Sequence, residues 1–300
     1  MPMGVFDDFA GIVRADEPLA PYTWFRLGGP AAYLARPRTA EEVSGLIDRA
    51  NAEGLPWRVL GGGSNLLVAD EGVPGLVIHL ESPAFSDVSH EGDRIEAGAA
   101  VPLTALISQA ARAGLGGLEN LTGIPGTVGG ALRGNAGGRQ GSIGPCVRRV
   151  TLVNGDGEIE ERERDALDFE AGGSNLDDAL VLSAEFALEP EDPEAVVRRM
   201  RRIWIVKKEH QPYGHQSCGM IFRNPNPELT AGALIERAGL KGIREGEAEV
   251  SERHADFIVA HPGASSADVI RLIDRIHQEV WGRLGYDLEL QIQVWKPSPV

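Results

Sequence analysis

The stretch LTGIPGTVGGALRGNAGG, residues 121–138, decides how the rest of this chain is interpreted. Its many glycines, with Pro125, Thr127 and Asn135 among them, predict neither a core helix nor a core strand. Because glycine lets a backbone come close to a bound group, the stretch is typical of an extended backbone surface that lies against a flat ligand. An ordinary connecting loop is the alternative interpretation, but it explains so high a density of glycine less well.

A second glycine-rich loop, LGGGSNLLV at residues 60–68, lies between two predicted strands. Its backbone N–H groups can approach a diphosphate, and the side chains of Ser64 and Asn65 add further donors. The loop is not the dinucleotide fingerprint GxGxxG, because no helix follows it directly. A plain turn is the other interpretation of this loop taken alone. Two such loops, each beside its own α+β unit, indicate a large cofactor held between two units.

Hydrophobic periodicity predicts an α+β fold in three compact segments rather than one doubly wound sheet. The predicted boundaries are 1–80, 81–190 and 191–300, and the last strand is free to rejoin the second segment. Helices are predicted after the Thr39-x-x-Glu42 capping box, from about Pro102, and at 194–210, 230–242 and 265–285. Strands are predicted at 75–80, 180–190, 255–260 and 286–295, with a hairpin at 148–162.

Composition narrows the class of function. The formal net charge is −15 over 300 residues, which argues against nucleic acid or an anionic membrane as the main partner. A basic run at 198–208 is either a solvated helix face or a contact for a small anion. Cys146 and Cys218 are expected to be reduced thiols, and no signal peptide, membrane span or metal-ligand motif is apparent. These features predict a cytoplasmic protein without a bound metal.

Three motifs together resemble a known enzyme family. They are TWFRLGGPA at 23–31, VLGGGSNLLV at 59–68 and GIPGTVGGALRGNAG at 123–137. The chain is similar to UDP-N-acetylenolpyruvoylglucosamine reductase, also called UDP-N-acetylmuramate dehydrogenase, over nearly its whole length. The absence of a long insertion fits the shorter subtype that lacks a tyrosine-bearing loop. The resemblance implies a two-part FAD-binding domain of the vanillyl-alcohol-oxidase type and a C-terminal α+β substrate domain.

The same resemblance implies a reaction and its ligands. FAD is the cofactor, NADPH is the reductant, and the substrate is a UDP-sugar, UDP-N-acetylglucosamine enolpyruvate. The implied substrate-binding residues are Asn224, Lys208 and Gln211. The implied cofactor-binding residues are Gly61, Gly62, Gly63, Ser64, Asn65, Gly123, Pro125, Gly126, Thr127, Gly129, Gly130, Ala131, Asn135 and Gly137. The sequence does not indicate an oligomeric state.

The chemical positions of the family pattern depart from it. A serine or cysteine that protonates the substrate carbon is replaced by Met220, whose thioether carries no proton. An arginine and a glutamate that stabilise the developing enolate correspond to Gly172 and Gln291. In the segment that the family writes His-Ala-Asn, this chain has Asp256 in place of the asparagine.

Three interpretations of these departures remain open. In the first, the protein is an active reductase in which Ser217 or Cys218 acts as the acid and Glu289 replaces the family glutamate. In the second, it is an FAD-binding homologue that has lost the reaction and serves a binding, regulatory or different redox role. In the third, it is a scaffold without flavin, which the intact glycine loops disfavour.

Overall fold

The computed structural model describes residues 4–138, 140–226 and 228–297. The α-helices are α1 Ala40–Ala52, α2 Leu103–Arg112, α3 Val128–Arg133, α4 Pro193–His210, α5 Ala231–Arg237 and α6 Ser266–Leu284. Strands of the first half are β1 Val13–Pro18, β2 Pro30–Ala35, β3 Trp57–Leu60, β4 Leu66–Val68, β5 Val73–His79, β6 Val88–Glu91, β7 Arg94–Gly98, β8 Leu115–Gly116, β9 Gly137–Gly138 and β10 Gly141–Ser142. The later strands are β11 Val147–Val153, β12 Ile159–Glu163, β13 Phe169–Glu170, β14 Gly173–Ser174, β15 Leu180–Ala187, β16 Glu189–Pro190, β17 Arg244–Glu245, β18 Ala248–Val250, β19 Ile258–Ala260 and β20 Gln293–Trp295.

The described chain forms two compact units, and neither is continuous in sequence. The first unit contains the described residues up to Asp16, then Ala32–Gly62 and Pro74–Ile205. The second unit contains Glu17–Ala31, Gly63–Val73 and the described residues from Val206 onward. The three consecutive segments predicted from sequence do not coincide with these units, because strand pairing joins residues that are far apart in the chain. Positions 1–3 and 298–300 of the predicted segments lie outside the described residues.

The first unit is built on a five-stranded antiparallel sheet of order β12-β11-β15-β7-β6 and on most of a four-stranded sheet of order β1-β2-β5-β3. In the second sheet β3 and β5 run parallel. Apolar side chains from both sheets and from α1 and α2 form one core, in which Leu46, Leu103 and Phe186 are almost fully buried. Helix α1 begins where Thr39 Oγ1 accepts a hydrogen bond from the Glu42 amide.

The second unit has its own core, centred on α5, α6 and the antiparallel sheet β17-β18-β19. Helix α6 begins with a capping box between Ser265 and Asp268, and Gly285 ends it in the left-handed conformation. The Asp70 carboxylate also accepts hydrogen bonds from the amides of Ser266 and Ala267, at 2.9 and 3.0 Å. Strand β20 pairs in parallel with β4 of the same unit, so the last strand does not rejoin the segment 81–190.

Two local predictions were wrong. The glycine-rich stretch contains a helix, α3, which Thr127 caps and which buries Val128 and Leu132. Only Gln293–Trp295 of the predicted strand 286–295 belongs to a strand, and Leu290 is exposed despite its place in the alternation. The helix predicted at 194–210 is present as α4, which buries Val196 and packs Met200 against the core of the first unit but leaves Trp204 exposed.

Candidate active site

In the first unit the two glycine-rich loops pack directly against each other. A side chain at Gly62 would place its Cβ 2.8 Å from the Cα of Gly126, and one at Gly61 would place it 2.9 Å from Thr127 Oγ1. Gly123 and Gly126 adopt positive φ values of 82° and 108°, which glycine accepts without strain. This close approach of backbone to backbone explains why glycine is required in both loops.

Helix α3 is held in place by its N-terminal backbone. The amides of Val128 and Gly129 donate to the carbonyls of Val101 and Ala99, both at 2.9 Å, and the Gly130 amide donates to Thr127 Oγ1 at 3.4 Å. Gly61, Thr127, Gly129 and Gly130 line a cavity. Its apolar lining includes Leu60, Leu80, Ala99, Leu176 and Val181.

Arg133, at the end of α3, also lines this cavity, and sequence reasoning did not single it out. Arg133 is the charged residue among the described lining residues, and the others are glycine, threonine and apolar residues. Its Nε lies 3.1 Å from the exposed Asp177 carboxylate. A lining of glycine backbone, apolar side chains and one guanidinium fits a ligand that combines a flat aromatic system with phosphates.

Other predicted cofactor residues of this unit have structural roles. Asn135 is buried, its Oδ1 accepts from the Gly144 amide at 3.1 Å, and its Nδ2 donates to the Glu170 carbonyl at 2.7 Å. A Cβ at Gly137 would lie 2.6 Å from Ser142, so glycine is needed there for packing. Ala131 is buried in α3, while Pro125 is half-buried in the loop before it.

The remaining cofactor predictions fall in the second unit, at Gly63, Ser64 and Asn65. Gly63 has a φ of 63°, and a Cβ there would overlap the Tyr22 carbonyl oxygen. The Asn65 side chain is exposed, and its Nδ2 donates to the Gln291 carbonyl at 3.1 Å. Ser64 is half-buried. Asn65 thus ties the loop to the segment that carries one of the chemical positions.

Met220 and Gln291 are brought together in the second unit. The Gln291 amide donates to the Ile221 carbonyl at 2.7 Å, and the Arg223 amide donates to the Glu289 carbonyl at 2.8 Å. Met220 is 37% exposed, Gln291 is half-buried and Glu289 is exposed. The proton-donor position and the glutamate position of the family pattern therefore lie on neighbouring backbone segments, and both carry uncharged side chains.

The two candidate replacement acids are buried. Cys218 is only 2% exposed and packs into the core of the second unit, and burial, with the nearby Asp256, raises the pKa of its thiol. Ser217 is 7% exposed, and its hydroxyl has no hydrogen-bond partner among the described residues. A group that protonates substrate must reach it, so in this conformation neither side chain is placed to act directly.

The arginine position, Gly172, lies in the first unit at the turn between β13 and β14. Its φ is 79°, in the left-handed region, which an arginine would adopt only with strain. The tight hairpin therefore favours glycine at this position for backbone reasons. Arg133 lies close to this hairpin, because its carbonyl accepts a hydrogen bond from Ser174 Oγ at 3.0 Å.

The predicted substrate-binding residues show mixed roles. Asn224 Oδ1 accepts from the Ala231 amide at 3.0 Å at the start of α5, which is a structural contact. Lys208 is exposed on α4, and Gln211 is half-buried, with its carbonyl accepting from Arg253 at 3.3 Å. Earlier in α4 the basic run is partly structural, because Arg199 pairs with Glu119 and Glu191 at 2.9 and 2.7 Å.

Among the described residues no cluster of histidine, cysteine and acidic side chains could hold a metal ion. Within the same residues, no helix is both long and apolar enough to cross a membrane.

Comparison with known proteins defines the class. Residues 31–162 match the family model of an FAD binding domain, and residues 211–295 match the model of the UDP-N-acetylenolpyruvoylglucosamine reductase C-terminal domain. Together with the glycine-lined cavity, these matches define an FAD-binding flavoprotein with an additional C-terminal domain. The predicted α+β fold, with its FAD-binding domain and C-terminal domain, is confirmed.

Full-length relatives identify the family. The chain is 43% identical to UDP-N-acetylenolpyruvoylglucosamine reductase of Moorella thermoacetica, over 94% of this chain and 93% of that protein. It is 41% identical to the protein of the same name from Heliobacterium modesticaldum, over 96% and 92% of the two chains. The crystal structure of UDP-N-acetylenolpyruvylglucosamine reductase from Thermus caldophilus matches with a TM-score of 0.80 at 38% identity, covering 95% of this chain and 98% of that one. This chain belongs to the UDP-N-acetylenolpyruvoylglucosamine reductase family.

Proposed function

We propose that this protein reduces UDP-N-acetylglucosamine enolpyruvate to UDP-N-acetylmuramate, with NADPH as reductant and FAD as cofactor, in peptidoglycan precursor synthesis. The observation that carries this proposal is the likeness to reductases of this name along nearly the whole of both chains. A cytoplasmic location and a UDP-sugar substrate follow from the same assignment. The proposal includes the shorter subtype. It also includes cofactor-binding residues from segments 1–80 and 81–190 and substrate-binding residues from segment 191–300, although these segments are not separate compact units.

The residues of the first unit fit FAD. Gly61, Gly129 and Gly130 present backbone to the cavity, a Cβ at Gly61 or Gly129 would crowd its neighbours, and Arg133 supplies a positive charge for a diphosphate. FAD, when bound, supplies the hydride chemistry of this reaction. The protein itself has to bind and orient the ligands and stabilise charge that develops on the substrate.

Hydride addition to the enolpyruvyl double bond leaves negative charge beside the substrate carboxylate, and a proton must follow. Met220 cannot supply that proton, and Gln291 can donate a hydrogen bond from its amide without adding a charge. Because Met220 is partly exposed, solvent water can reach this position and deliver the proton. We therefore propose a reductase in which water replaces the family's side-chain acid.

A second function is supported by a specific observation. The positions of the family's proton donor, arginine and glutamate are occupied by Met220, Gly172 and Gln291, while the glycine loops are intact. This combination fits an FAD-binding homologue that no longer performs the reaction. Such a protein would still bind flavin and would serve in binding, in regulation or in another redox reaction.

Anaerobic spectroscopy separates the two functions. The purified protein is reduced with NADPH while the visible flavin band is followed, and UDP-N-acetylglucosamine enolpyruvate is then added. A reductase is reoxidised by substrate, with one equivalent of UDP-N-acetylmuramate formed for each flavin. A protein that holds flavin but is not reoxidised by substrate contradicts the proposed reaction and supports the homologue. UDP-N-acetylglucosamine is the control compound, because it lacks the enolpyruvyl double bond that is reduced.

A further inference from the structure

Asp256 lies in the second unit, two residues before β19, and its side chain is 1% exposed. The segment 217–222, which carries Met220, pairs with this part of the chain through an isolated bridge between Met220 and Phe257, and Gln216 just before it forms a second bridge with Ala260. A buried carboxylic acid in contact with the chemical segment is a feature that the proposed reaction does not use.

Two hydrogen bonds join Asp256 to the segment just after Met220. The Phe222 amide donates to Asp256 Oδ1 at 3.0 Å, and the Ile221 amide donates to the Asp256 backbone carbonyl at 3.0 Å. The Ile221 carbonyl in turn accepts from the Gln291 amide at 2.7 Å. Asp256 therefore holds the backbone of Ile221 and Phe222, and Ile221 in turn sets the position of Gln291 relative to Met220.

The other carboxyl oxygen, Asp256 Oδ2, is buried and has no hydrogen-bond partner among the described residues. Its neighbours along the two paired segments, Cys218, Ile221, Phe222 and Ile258, belong to the apolar core of the second unit. On the α5 side, a Cβ at Gly232 would lie 3.6 Å from the Cβ of Asp256. Among the described residues, the amides of Phe222 and Ile221 favour a negative charge at this place, and burial opposes it.

Within the part of the chain that the structure describes, the titratable neighbours of Asp256 do not supply a compensating positive charge. His254 Nδ1 accepts from the Asp256 amide at 3.3 Å. The pKa of His254 is lowered by burial first, then by the charges of His210 and Lys241, against an opposing effect of Glu236. On segment 217–222 the Cys218 thiol has a raised pKa and stays neutral.

We infer that Asp256 acts as a positioning residue in its protonated, neutral form, holding the Met220–Phe222 backbone, and that loss of its proton releases this backbone. The inference concerns this segment alone and does not rest on the proposed reaction. Burial raises the pKa of Asp256 to about 8, against the hydrogen bonds from Phe222 and Ile221, which lower it. The hold therefore weakens over the range between the ordinary pKa of an aspartate and about pH 8, which includes most of the physiological range.

The direction of the pH effect follows from linkage. When the segment is released, Asp256 meets water and ionises with an ordinary pKa of about 3.9. Between about pH 4 and pH 8 the closed form keeps the proton and the released form loses it, so the released fraction grows about tenfold per pH unit. Above pH 8 both forms are ionised and the ratio no longer changes. The segment is thus held firmly in acid and loosens as the pH rises.

Labelling of Cys218 with a thiol reagent measures the release. The full-length protein, as isolated with any flavin it retains, carries Cys146→Ser so that Cys218 is the sole thiol. The matched control adds Asp256→Asn, which keeps the shape and the acceptor for the Phe222 amide but cannot ionise. The ratio of the two labelling rates cancels the ordinary pH dependence of a thiolate. We expect this ratio to rise roughly tenfold per pH unit between pH 6 and 8 and to level off above pH 8.

A ratio that is independent of pH overturns the inference, because a purely structural aspartate would move both rates together. A measurement on the unsubstituted protein covers the case in which the asparagine variant does not fold. Infrared spectroscopy should show a protonated carboxyl C=O band at pH 6 that disappears with a midpoint near pH 8. The lack of any such band at pH 6 equally contradicts a neutral Asp256.

Discussion

The contact between the two glycine-rich loops gives a sharp test of cofactor binding. The change is Gly62→Ala, which adds a single methyl group between residues 60–68 and 121–138. That Cβ would lie 2.8 Å from the Gly126 Cα, 3.3 Å from its carbonyl carbon and 3.5 Å from the Thr127 amide nitrogen. All three contacts are with backbone, so no side chain can rotate to relieve them.

The expected magnitude follows from this geometry. Carbon atoms pack best at about 3.5–4.0 Å, so the closest contact is about 0.7 Å too short and one loop must move. Overpacking of this kind costs about 1–3 kcal/mol, which corresponds to a roughly 5- to 150-fold weaker Kd if it falls on the ligand-bound state. Any part of this energetic cost that destabilises the ligand-free protein appears instead as a lower Tm.

The assay titrates the flavin-free protein with FAD and follows flavin fluorescence, with Tm recorded in parallel. Gly282→Ala is the control, because its Cβ meets nothing within 4 Å. It lies in the last turn of α6, where alanine should add up to about 1 kcal/mol of stability and leave the Kd unchanged. Should Gly62→Ala leave both Kd and Tm as they are in the unchanged protein, the packing of these two loops is wrong.

Three further outcomes are expected. Arg133→Met should weaken FAD binding roughly 10- to 150-fold, because a charged hydrogen bond contributes about 1.5–3 kcal/mol. Arg149→Met, whose guanidinium pairs with Glu161 and Glu185, should not change the Kd. Asp70→Ala should lower stability by about 1–2 kcal/mol in thermal denaturation, since two α6 amides lose their acceptor, and Glu71→Ala should change it by less than about 0.5 kcal/mol. Met220→Ser should raise kcat about 10²-fold or more in the presence of Gln291→Glu, because a general acid is restored. If Met220→Ala is as fast as Met220→Ser in that assay, the hydroxyl proton is not the cause.

Local sequence signals predicted most of the helices. Thr39 and Ser265 marked the starts of α1 and α6 because their side chains cap the first turn, and apolar spacing gave the buried face of each helix. Helix α3 could not be found in this way, because glycine propensity argues against a helix. Burial of Val128 and Leu132 and the Thr127 cap outweigh that propensity only in the folded environment.

The parts of the candidate site that depend on local backbone conformation could be predicted from the sequence. The parts that depend on pairing between distant segments could not. The glycines at 61, 62 and 126 were identified because no other residue permits such close approach. The burial of Cys218 and Ser217, and the contact of Asp256 with Phe222, depend on a segment that pairs with residues about 35 positions away. Arg133 was missed for a related reason, since its place in the cavity is a property of α3.

The parallel pair of β4 and β20 has a consequence for how this protein is made. Leu66–Val68 leaves the ribosome early, but its partner Gln293–Trp295 is translated more than two hundred residues later. The core residues Phe25 and Leu67 likewise remain uncovered until α5 and α6 have been synthesised. At about 5–20 residues per second, these apolar surfaces stay uncovered for at least ten seconds or so after synthesis. The second unit is therefore completed after translation of its last strand, and the nascent chain is exposed to aggregation during that interval.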